Sequence, residues 1–195
     1  MSKEYPLSFV GSSIRRSETL IAARLYLECG DWKETYRIIV DENLFDLDAD
    51  SSRKRVASEI CKRTKTLTDE EIRFLVSSYG DDQLAMLWVS ACRTYPFIKR
   101  VSEELLVNRY SRSATEFTEG AYDSFYEHES ELVPELSAIA TKTKKKIANQ
   151  VIRMLVECRL VTEEGIITPL HPTPMFRKAL DENRADDWYL FPGVA

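Results

Sequence analysis

The sequence predicts an all-α fold of about ten helices with one small β-hairpin in the last quarter of the chain. Apolar residues recur at three- and four-residue spacing along almost the whole chain, as they do on the buried face of a helix. Only 6 Gly and 7 Pro occur in 195 residues, fewer than a strand-rich fold with many tight turns needs. Helix-start and helix-end signals flank several of the periodic segments. Together these observations favour helices almost throughout.

The first part of the chain, residues 1–80, is predicted to be a helical subdomain. Its first helix is expected to stop before Gly30, a natural helix-ending residue. Asp31 with Glu34, and Thr68 with Glu71, have the spacing of capping boxes, so each pair indicates a helix start. The predicted helices span about residues 17–29, 32–45, 52–65 and 69–80.

The second part, residues 81–195, is predicted to be another helical subdomain. Pro96 is expected in the first turn of a helix or at a break, and Pro134 between two short helices. The predicted helices cover about residues 82–95, 97–110, 121–140 (as two short helices) and 176–180, and another helix follows residues 141–143. Beyond them lies an aromatic tail with Trp188, Tyr189 and Phe191, which either docks back on the core or inserts into a partner.

The segment TKTKKKIANQVIRMLVEC, residues 141–158, predicts a helix with one apolar face and one cationic face. The apolar stripe contains Ile147, Val151, Met154, Leu155 and Cys158. The opposite face contains Lys142, Lys145, Lys146, Asn149 and Arg153. The lysines crowd the start of the helix, where each exposed cation costs about 0.3–1 kcal/mol because the helix dipole is already positive there. A phosphate is the expected counter-charge.

The segment that follows this helix predicts a tight hairpin, with strands at 160–162 and 166–168 joined by a turn at 163–165. A helix followed by a hairpin is the order of the recognition helix and wing in a winged helix-turn-helix. ELSAIA would supply the preceding short helix and TKT the turn, so the module would span residues 132–170. Two other interpretations stay open, because basic helix ends are usually solvated and winged helices also serve as protein-interaction modules.

A second basic helix is predicted at residues 52–65. Its cations are Arg53, Lys54, Arg55, Lys62, Arg63 and Lys65, and the first three are expected in its first turn. Residues 51–66 and residues 141–153 each carry a net charge of +5, although the whole chain carries −5, so the remaining residues carry −15. Such segregation is typical of a polyanion-binding surface on an acidic protein. The expected ligand is double-stranded DNA, with RNA as the alternative.

The sequence argues against an enzyme. It lacks the motifs GxxxxGK[ST], GxGxxG and GxSxG, and neither His128 nor His171 has a partner at triad or metal-ligand spacing. We therefore expect no catalytic residues, no metal or other cofactor and no small-molecule substrate. Nonspecific phosphate contact is the expected mode, although Asn149 and Gln150 have the chemistry to read adenine and Arg153 has the chemistry to read guanine.

The location predicted from the sequence is the cytoplasm, without membrane association. The longest nearly apolar run, LAMLWVSAC, is about half as long as a membrane-spanning helix, and the first residues lack the apolar stretch of a secretory signal. The four cysteines form no CxxC pair and are expected to be buried, reduced thiols.

Four helical segments, in this order, resemble the BrxA family of bacterial BREX phage-defence systems: DWKETYRIIVDENLF, SSRKRVASEICKRTKTLTDEEIRFLV, LWVSACRTYPFIKRVSEELL and IANQVIRMLVECRLV. The resemblance implies a helical, non-enzymatic DNA-binding protein that works with other BREX components, including a methyltransferase, an ATPase and a phosphatase-like protein. It also implies a NusB-like overall fold, which would favour RNA. It supplies no catalytic residues. The remaining alternative is a protein-interaction scaffold whose basic faces meet an acidic partner.

Overall fold

The computed structural model describes residues 5–194, and these form an all-helical protein, as the sequence predicts. Eleven α-helices occur in this part of the chain: α1 (Arg16–Cys29), α2 (Trp32–Asp41), α3 (Asp50–Thr64), α4 (Asp69–Ser77), α5 (Gly80–Thr94), α6 (Pro96–Val101), α7 (Arg109–Ser111), α8 (Glu119–Leu132), α9 (Pro134–Ser137), α10 (Thr141–Glu157) and α11 (Pro174–Ala179). A π-helix at Ser102–Asn108 continues α6 into α7. Short 3₁₀ segments lie at Ser8–Gly11 and Glu182–Leu190.

The chain folds into two compact units, each built from separated segments. The α10 unit contains the described residues 5–13, 95–170 and 186–194. The α3 unit contains residues 14–94 and 171–185. The two basic helices predicted from the sequence therefore belong to different units.

The α3 unit is built on α1, α2 and α3, which pack against one another in pairs. Ala22, Ile39 and Ile60 meet in its buried cluster, and Trp32 packs against that cluster while stacking on Tyr26 at a ring-centroid distance of 4.1 Å. α5 is buried along ten consecutive residues, from Gln83 to Cys92. This burial accounts for the apolar run in the sequence, since a helix covered on all sides has no polar face.

Local signals in the sequence place several helix ends correctly. α1 ends at Gly30, whose φ of +70° is the left-handed conformation that glycine adopts at low cost. Thr68 caps α4 through the N–H of Glu71, and Glu71 returns a hydrogen bond to the N–H of Thr68, so this capping box is complete. Pro96 occupies the first turn of α6.

Two predicted details of helix ends are wrong. Asp31 accepts from the N–H groups of Lys33 and Glu34, but the Glu34 carboxylate pairs with Arg37 at 2.6 Å instead of completing a capping box. The helix that begins after Thr68 ends at Ser77, and Gly80 opens the next helix rather than closing this one. In the first case an ion pair one turn along the helix satisfies the carboxylate.

A buried ion pair lies inside the α3 unit. Arg93 donates to both carboxylate oxygens of Glu71, at 2.6 and 2.7 Å, and the Glu71 side chain is fully buried. Glu71 also accepts from the backbone N–H groups of Thr68 and Asp181. Burial by itself would raise the pKa of Glu71, but the hydrogen bonds from Arg93, Thr68 and Asp181 hold it below its ordinary value. One side chain thus joins α4, α5 and the segment after α11.

The core of the α10 unit is an aromatic cluster around Phe97. Phe9, Phe125 and Tyr126 surround this ring at centroid distances of 6.1, 5.6 and 6.0 Å. The aromatic tail contributes to the same unit, because Phe191 is fully buried. Of the two alternatives predicted for the tail, docking on the core holds for Phe191.

The predicted hairpin wing is absent from the described residues. Only isolated bridges form there, between Val161 and Ile167 and between Glu116 and Ile166. Residues 166 and 167, which follow the turn, bond to two different segments. The N–H of Thr162 donates to the carbonyl of Ile166 at 2.8 Å, and the N–H of Ile167 donates to the carbonyl of Thr115, also at 2.8 Å. Because each pairing is one or two residues long, no regular sheet develops.

The predicted turn before the basic helix is also wrong. TKT forms the first turn of α10, which begins at Thr141, and the connection after the four-residue α9 lies at Ala138–Ala140. The winged helix-turn-helix expected over residues 132–170 is therefore not found. Ala140 gives no side-chain signal for a helix start, which explains the misplacement.

Three of the four cysteines are buried as predicted, and Cys29 is exposed. All four are free thiols, and burial raises the pKa of Cys61 to about 12. In residues 5–194, every helix falls short of the length and apolar character that crossing a bilayer requires.

Candidate nucleic-acid interface

The predicted two-sided character of α10 is confirmed. Ile147, Val151, Met154 and Leu155 are buried along one side of this seventeen-residue helix. The opposite side, called here the lysine face, is exposed at all five predicted positions: Lys142, Lys145, Lys146, Asn149 and Arg153. The apolar stripe fixes the rotation of the helix, and that rotation turns the cations to solvent.

The three lysines of this face have no ion pair within the described residues, whereas its arginine has one. Arg153 lies 3.2 Å from Glu157, one turn further along the helix. Lys144 lies outside the lysine face, and its ammonium group stands 5.1 Å from the centroid of the Tyr126 ring. Lys142, Lys145 and Lys146 are therefore the exposed cations of α10 that have no ion pair within the described residues, whereas Lys144 is half-buried.

The start of α10 lacks the usual compensation for a helix N-terminus. No side chain caps it, its first turn contains no acid, and its last turn contains no base. The N–H groups of Thr143 and Lys144 both donate to the carbonyl of Ala140. The lysines add their charge to a helix end that is already positive, so an external anion would interact favourably with both.

A groove of about 510 Å³ separates α10 from α8 within the α10 unit. Its apolar surface comes from Phe117, Tyr122, Tyr126 and Ile152. The α8 side carries the carboxylates of Glu119, Asp123 and Glu127, and the α10 side carries Lys144, Lys145 and Asn149. The groove therefore presents opposite charges on its two sides, and the acidic side limits how far a polyanion extends beyond the lysine face.

The second basic helix differs from its prediction. α3 begins at Asp50, two residues before the expected start, so Arg53, Lys54 and Arg55 lie in the second turn. The first turn contains an acid and the last turn contains Lys62, which is the arrangement that suits the helix dipole. The expectation that cations oppose the dipole at this helix start is wrong.

The cations of α3 are also partly neutralised by the protein itself. Lys54 lies 2.7 Å from Asp50, and Lys62 lies 3.6 Å from Glu59. Hydrogen bonding to Lys54 lowers the pKa of Asp50. Among the predicted α3 site residues, exposed side chains without an ion pair in residues 5–194 remain only at Arg55 and Lys65.

Two arginines of this segment are placed inward. Arg63 is 2% exposed and donates to the carbonyl of Ile14 at 3.1 Å, so it is a structural group of the α3 unit. Arg53 is half-buried, and its Nε has no hydrogen-bond partner within the described residues. The net charge of the segment therefore overstates the charge that α3 presents to solvent.

The sequence analysis missed a second concave surface of the α10 unit. A pocket of about 450 Å³ contains Asn108, Arg109, Arg112 and His128 in its lining. The only signal of this pocket in the sequence was the pair of arginines three residues apart. The pocket itself depends on a π-helix and on packing against α8, which the sequence did not predict. In residues 5–194, no cluster of three His, Cys, Asp or Glu side chains is arranged to hold a metal.

Comparison with known proteins identifies the family. The BrxA family model matches residues 3–184. A search of curated proteins finds no match. Among solved structures, an uncharacterized protein from Magnetospirillum magneticum is similar over 95% of both chains, with a TM-score of 0.80 and 21% sequence identity. At that identity the likeness shows a shared fold. The family match spans nearly the whole chain, and the protein therefore belongs to the BrxA family.

Proposed function

We propose that this protein is a DNA-binding accessory component of a bacterial BREX phage-defence system. BrxA is an accessory-protein family and not a known enzyme family, which supports a binding role. The observation that carries the proposal is the lysine face, with three exposed lysines that have no carboxylate partner within residues 5–194. Lys142, Lys145 and Lys146 contact phosphates of the backbone, Arg153 extends the contact, and Asn149 lies between these cations.

The position of these charges, rather than their number, favours a phosphate ligand. Cations at the start of a helix oppose folding, so the fold itself gives no reason for them. A phosphate backbone neutralises them and releases its own counterions, which makes binding favourable and dependent on salt. In the α3 unit, we propose that Arg55 and Lys65, the residue directly after α3, also contact phosphates. Lys54 and Lys62 contribute only if DNA displaces their carboxylate partners.

The test is a titration of a duplex DNA fragment at several salt concentrations. About five phosphate contacts give a slope of log affinity against log salt of about −4 to −5. Changing Lys142, Lys145 and Lys146 together to Gln should make that slope shallower by about 3, since each phosphate contact contributes about one. A slope close to zero for the unchanged protein would overturn the proposal.

A charge-matched control separates this site from general electrostatic attraction. Arg24, Lys33 and Lys178 are exposed cations outside both basic helices, and changing all three to Gln alters the net charge equally. The control variant should bind DNA with nearly the slope of the unchanged protein. Equal losses in both triple variants would show that DNA responds to net charge and not to the lysine face. Competition with structured RNA of equal length distinguishes the two nucleic acids.

A second candidate function is a scaffold role within the defence complex, and the groove between α8 and α10 favours it. Ile152 is 40% exposed at this groove, and the two sides carry opposite charges, which would suit an amphipathic helix of a protein partner. Changing Ile152 to Asp should abolish co-purification of a BREX component while DNA binding persists. If the variant lost DNA binding but still co-purified with the BREX component, Ile152 would belong to the nucleic-acid site and not to a protein interface.

A further inference from the structure

The pocket on the other side of α8 is lined by two arginines, an asparagine and a histidine. We call it the arginine pocket and define it by Asn108, Arg109, Arg112 and His128. It shares no lining residue with the groove beside α10. Its volume of about 450 Å³ lies in the range of small-molecule sites.

The positive charge of this pocket is not neutralised by the carboxylate that lines it. Glu104 is already engaged, because Arg100 donates to it at 3.1 Å and Asn108 donates to it at 3.0 Å. Arg109 and Arg112 have no ion pair within residues 5–194. Arg112 is exposed, so its guanidinium is free to meet a ligand.

Arg109 has a donor that the protein leaves unused. One terminal nitrogen, Nη2, donates to the carbonyl of Glu116 at 2.8 Å, which holds the guanidinium in place. The Nε of the same side chain is buried and has no hydrogen-bond partner in the described part of the chain. A buried unpaired N–H carries a free-energy cost, which a water molecule, an ion or a ligand with an acceptor oxygen would remove.

The backbone at this pocket is unusual as well. Asn108 is the last residue of the seven-residue π-helix, Arg109 is the first residue of α7, and Arg112 directly follows α7. π-Helical turns are rare and frequently occur at functional sites. Three of the four pocket residues thus come from a single irregular junction in an otherwise regular helix.

We propose that the arginine pocket binds a phosphate group. Two arginines present planar donors that match the oxygens of phosphate in a bidentate manner. The volume leaves room for more than the phosphate itself, so a phosphomonoester of nucleotide size fits. The phosphate would come either from such a small molecule or from the end of a nucleic-acid strand.

This site is independent of the proposed function, because none of its residues belongs to the lysine face. The first experiment measures binding of inorganic phosphate to the full chain by calorimetry, with sodium chloride at matched ionic strength as the reference. We expect saturable binding that chloride does not reproduce. If phosphate and chloride gave the same heat of binding, or stabilised the protein equally against unfolding, the proposal would be overturned.

Variants then locate the site. Arg112→Gln should weaken phosphate binding by about tenfold or more, because hydrogen bonds between charged groups contribute that much. Arg112→Lys should restore part of the affinity, and Arg24→Gln should change nothing. Arg109→Gln should act like Arg112→Gln, but it also removes the hydrogen bond to Glu116, so Arg112 gives the decisive measurement. Unchanged binding by Arg112→Gln would place the anion elsewhere.

Two further arms identify the source of the phosphate and separate this site from the lysine face. Tighter binding of AMP than of inorganic phosphate would indicate a small phosphomonoester, whereas a preference for duplex DNA with 5′-phosphates over unphosphorylated duplex would indicate strand ends. The triple change of Lys142, Lys145 and Lys146 to Gln should leave phosphate binding intact. If that variant loses phosphate binding, the arginine pocket is not the site, even when the DNA result stands.

Discussion

Lys142 stands at the second position of α10, where an acidic side chain would suit the helix better. The side chain is exposed and has no ion pair in the described residues. Changing it to Glu should therefore stabilise the protein by about 0.5–1 kcal/mol, because the change removes an unfavourable interaction with the helix dipole and adds a favourable one. The same change should weaken DNA binding. Urea unfolding and a DNA titration check the two effects, and a loss in both would mean that Lys142 has a structural role.

Glu71 should be among the most sensitive positions in the protein. Glu71→Gln leaves the buried guanidinium of Arg93 without its counter-charge, and breaking a buried ion pair in this way costs about 3–5 kcal/mol. Urea denaturation measures the change. Glu34→Gln is the matched control, because its partner Arg37 is exposed and solvent screens the pair, so the loss of stability should be much smaller than for Glu71→Gln. Similar values for both variants would contradict this assignment.

The same carboxylate should contribute to the pH dependence of stability. The pKa of Glu71 is lowered in the folded protein, so its stabilising contribution is complete above the ordinary value of 4.5 and is lost as the pH falls below it. The unfolding free energy of the unchanged protein should decrease below pH 4.5 more steeply than that of Glu71→Gln. Parallel pH profiles would show that Glu71 is not the group responsible.

For Arg63, the sequence predicts the direction of the side chain but not its hydrogen-bond partner. It lies seven positions after Val56, which places both on the same side of α3, and both are buried. The helical period therefore contained the signal that this arginine faces inward. Its partner, the carbonyl of Ile14, is 49 positions away, and no local pattern indicates such a contact.

At the scale of elements, helix ends were predictable where a side chain or a special backbone residue marks them. Gly30, the pair Thr68 and Glu71, and Pro96 each act within one helical turn, so their effect is encoded locally. The start of α10 has only Ala140 before it and was misplaced for that reason. The π-helix at Ser102–Asn108 could not be predicted, because its i→i+5 bonds leave no periodic signature in seven residues.

The predicted wing failed because its pairings are too short. Residues 166 and 168 bond to Thr162 and Leu160, whereas residues 165 and 167 bond to Phe117 and Thr115, about fifty positions earlier, and neither pairing extends into a regular strand. A local turn signal at Gly165 was correct, whereas the strands on either side were too short to form a sheet. The lysine face, by contrast, followed from the helical period alone.

Gly165 should be intolerant of a side chain. Its φ is +86°, a conformation that L side chains rarely adopt, and a Cβ there would lie 3.1 Å from the carbonyl oxygen of Phe117, which would have to move by a few tenths of an ångström. Gly165→Ala should destabilise the protein by more than about 1 kcal/mol, since both strain and crowding act in the same direction. Thermal unfolding measures this. Gly120→Ala is the control, because a Cβ at Gly120 meets nothing within 4 Å and φ is not positive.

At the scale of the whole molecule, the charge distribution is the property most relevant to function. The chain is net negative, yet α10 presents three lysines that its own carboxylates leave unpaired in the described residues. Composition predicted two such surfaces of equal charge. The structure reduces the contribution of α3, because Lys54 and Lys62 have acidic neighbours and Arg63 is buried. Counting charges along a sequence cannot separate exposed cations from those already paired.

The tail should be required for DNA binding although it contains no site residue. Phe191 is fully buried in the α10 unit, and the hydroxyl of Ser102 donates to the carbonyl of Leu190 at 2.6 Å. Removing residues 186–195 should destabilise that unit and weaken DNA binding, with every lysine still present. Gel shift and thermal unfolding check this. Phe191→Ala should reproduce most of the loss, at about 3–5 kcal/mol for a large buried side chain. Undiminished DNA binding after truncation would show that α10 folds without the tail.

The interleaving of the two units also has a consequence for how such a protein is inherited. Because each unit draws on separated stretches of the polypeptide, a recombination breakpoint between residues 14 and 185 would leave both units with missing pieces. A single recombination event therefore cannot transfer one complete unit without the other, and the α10 unit with its cationic helix is inherited together with the α3 unit.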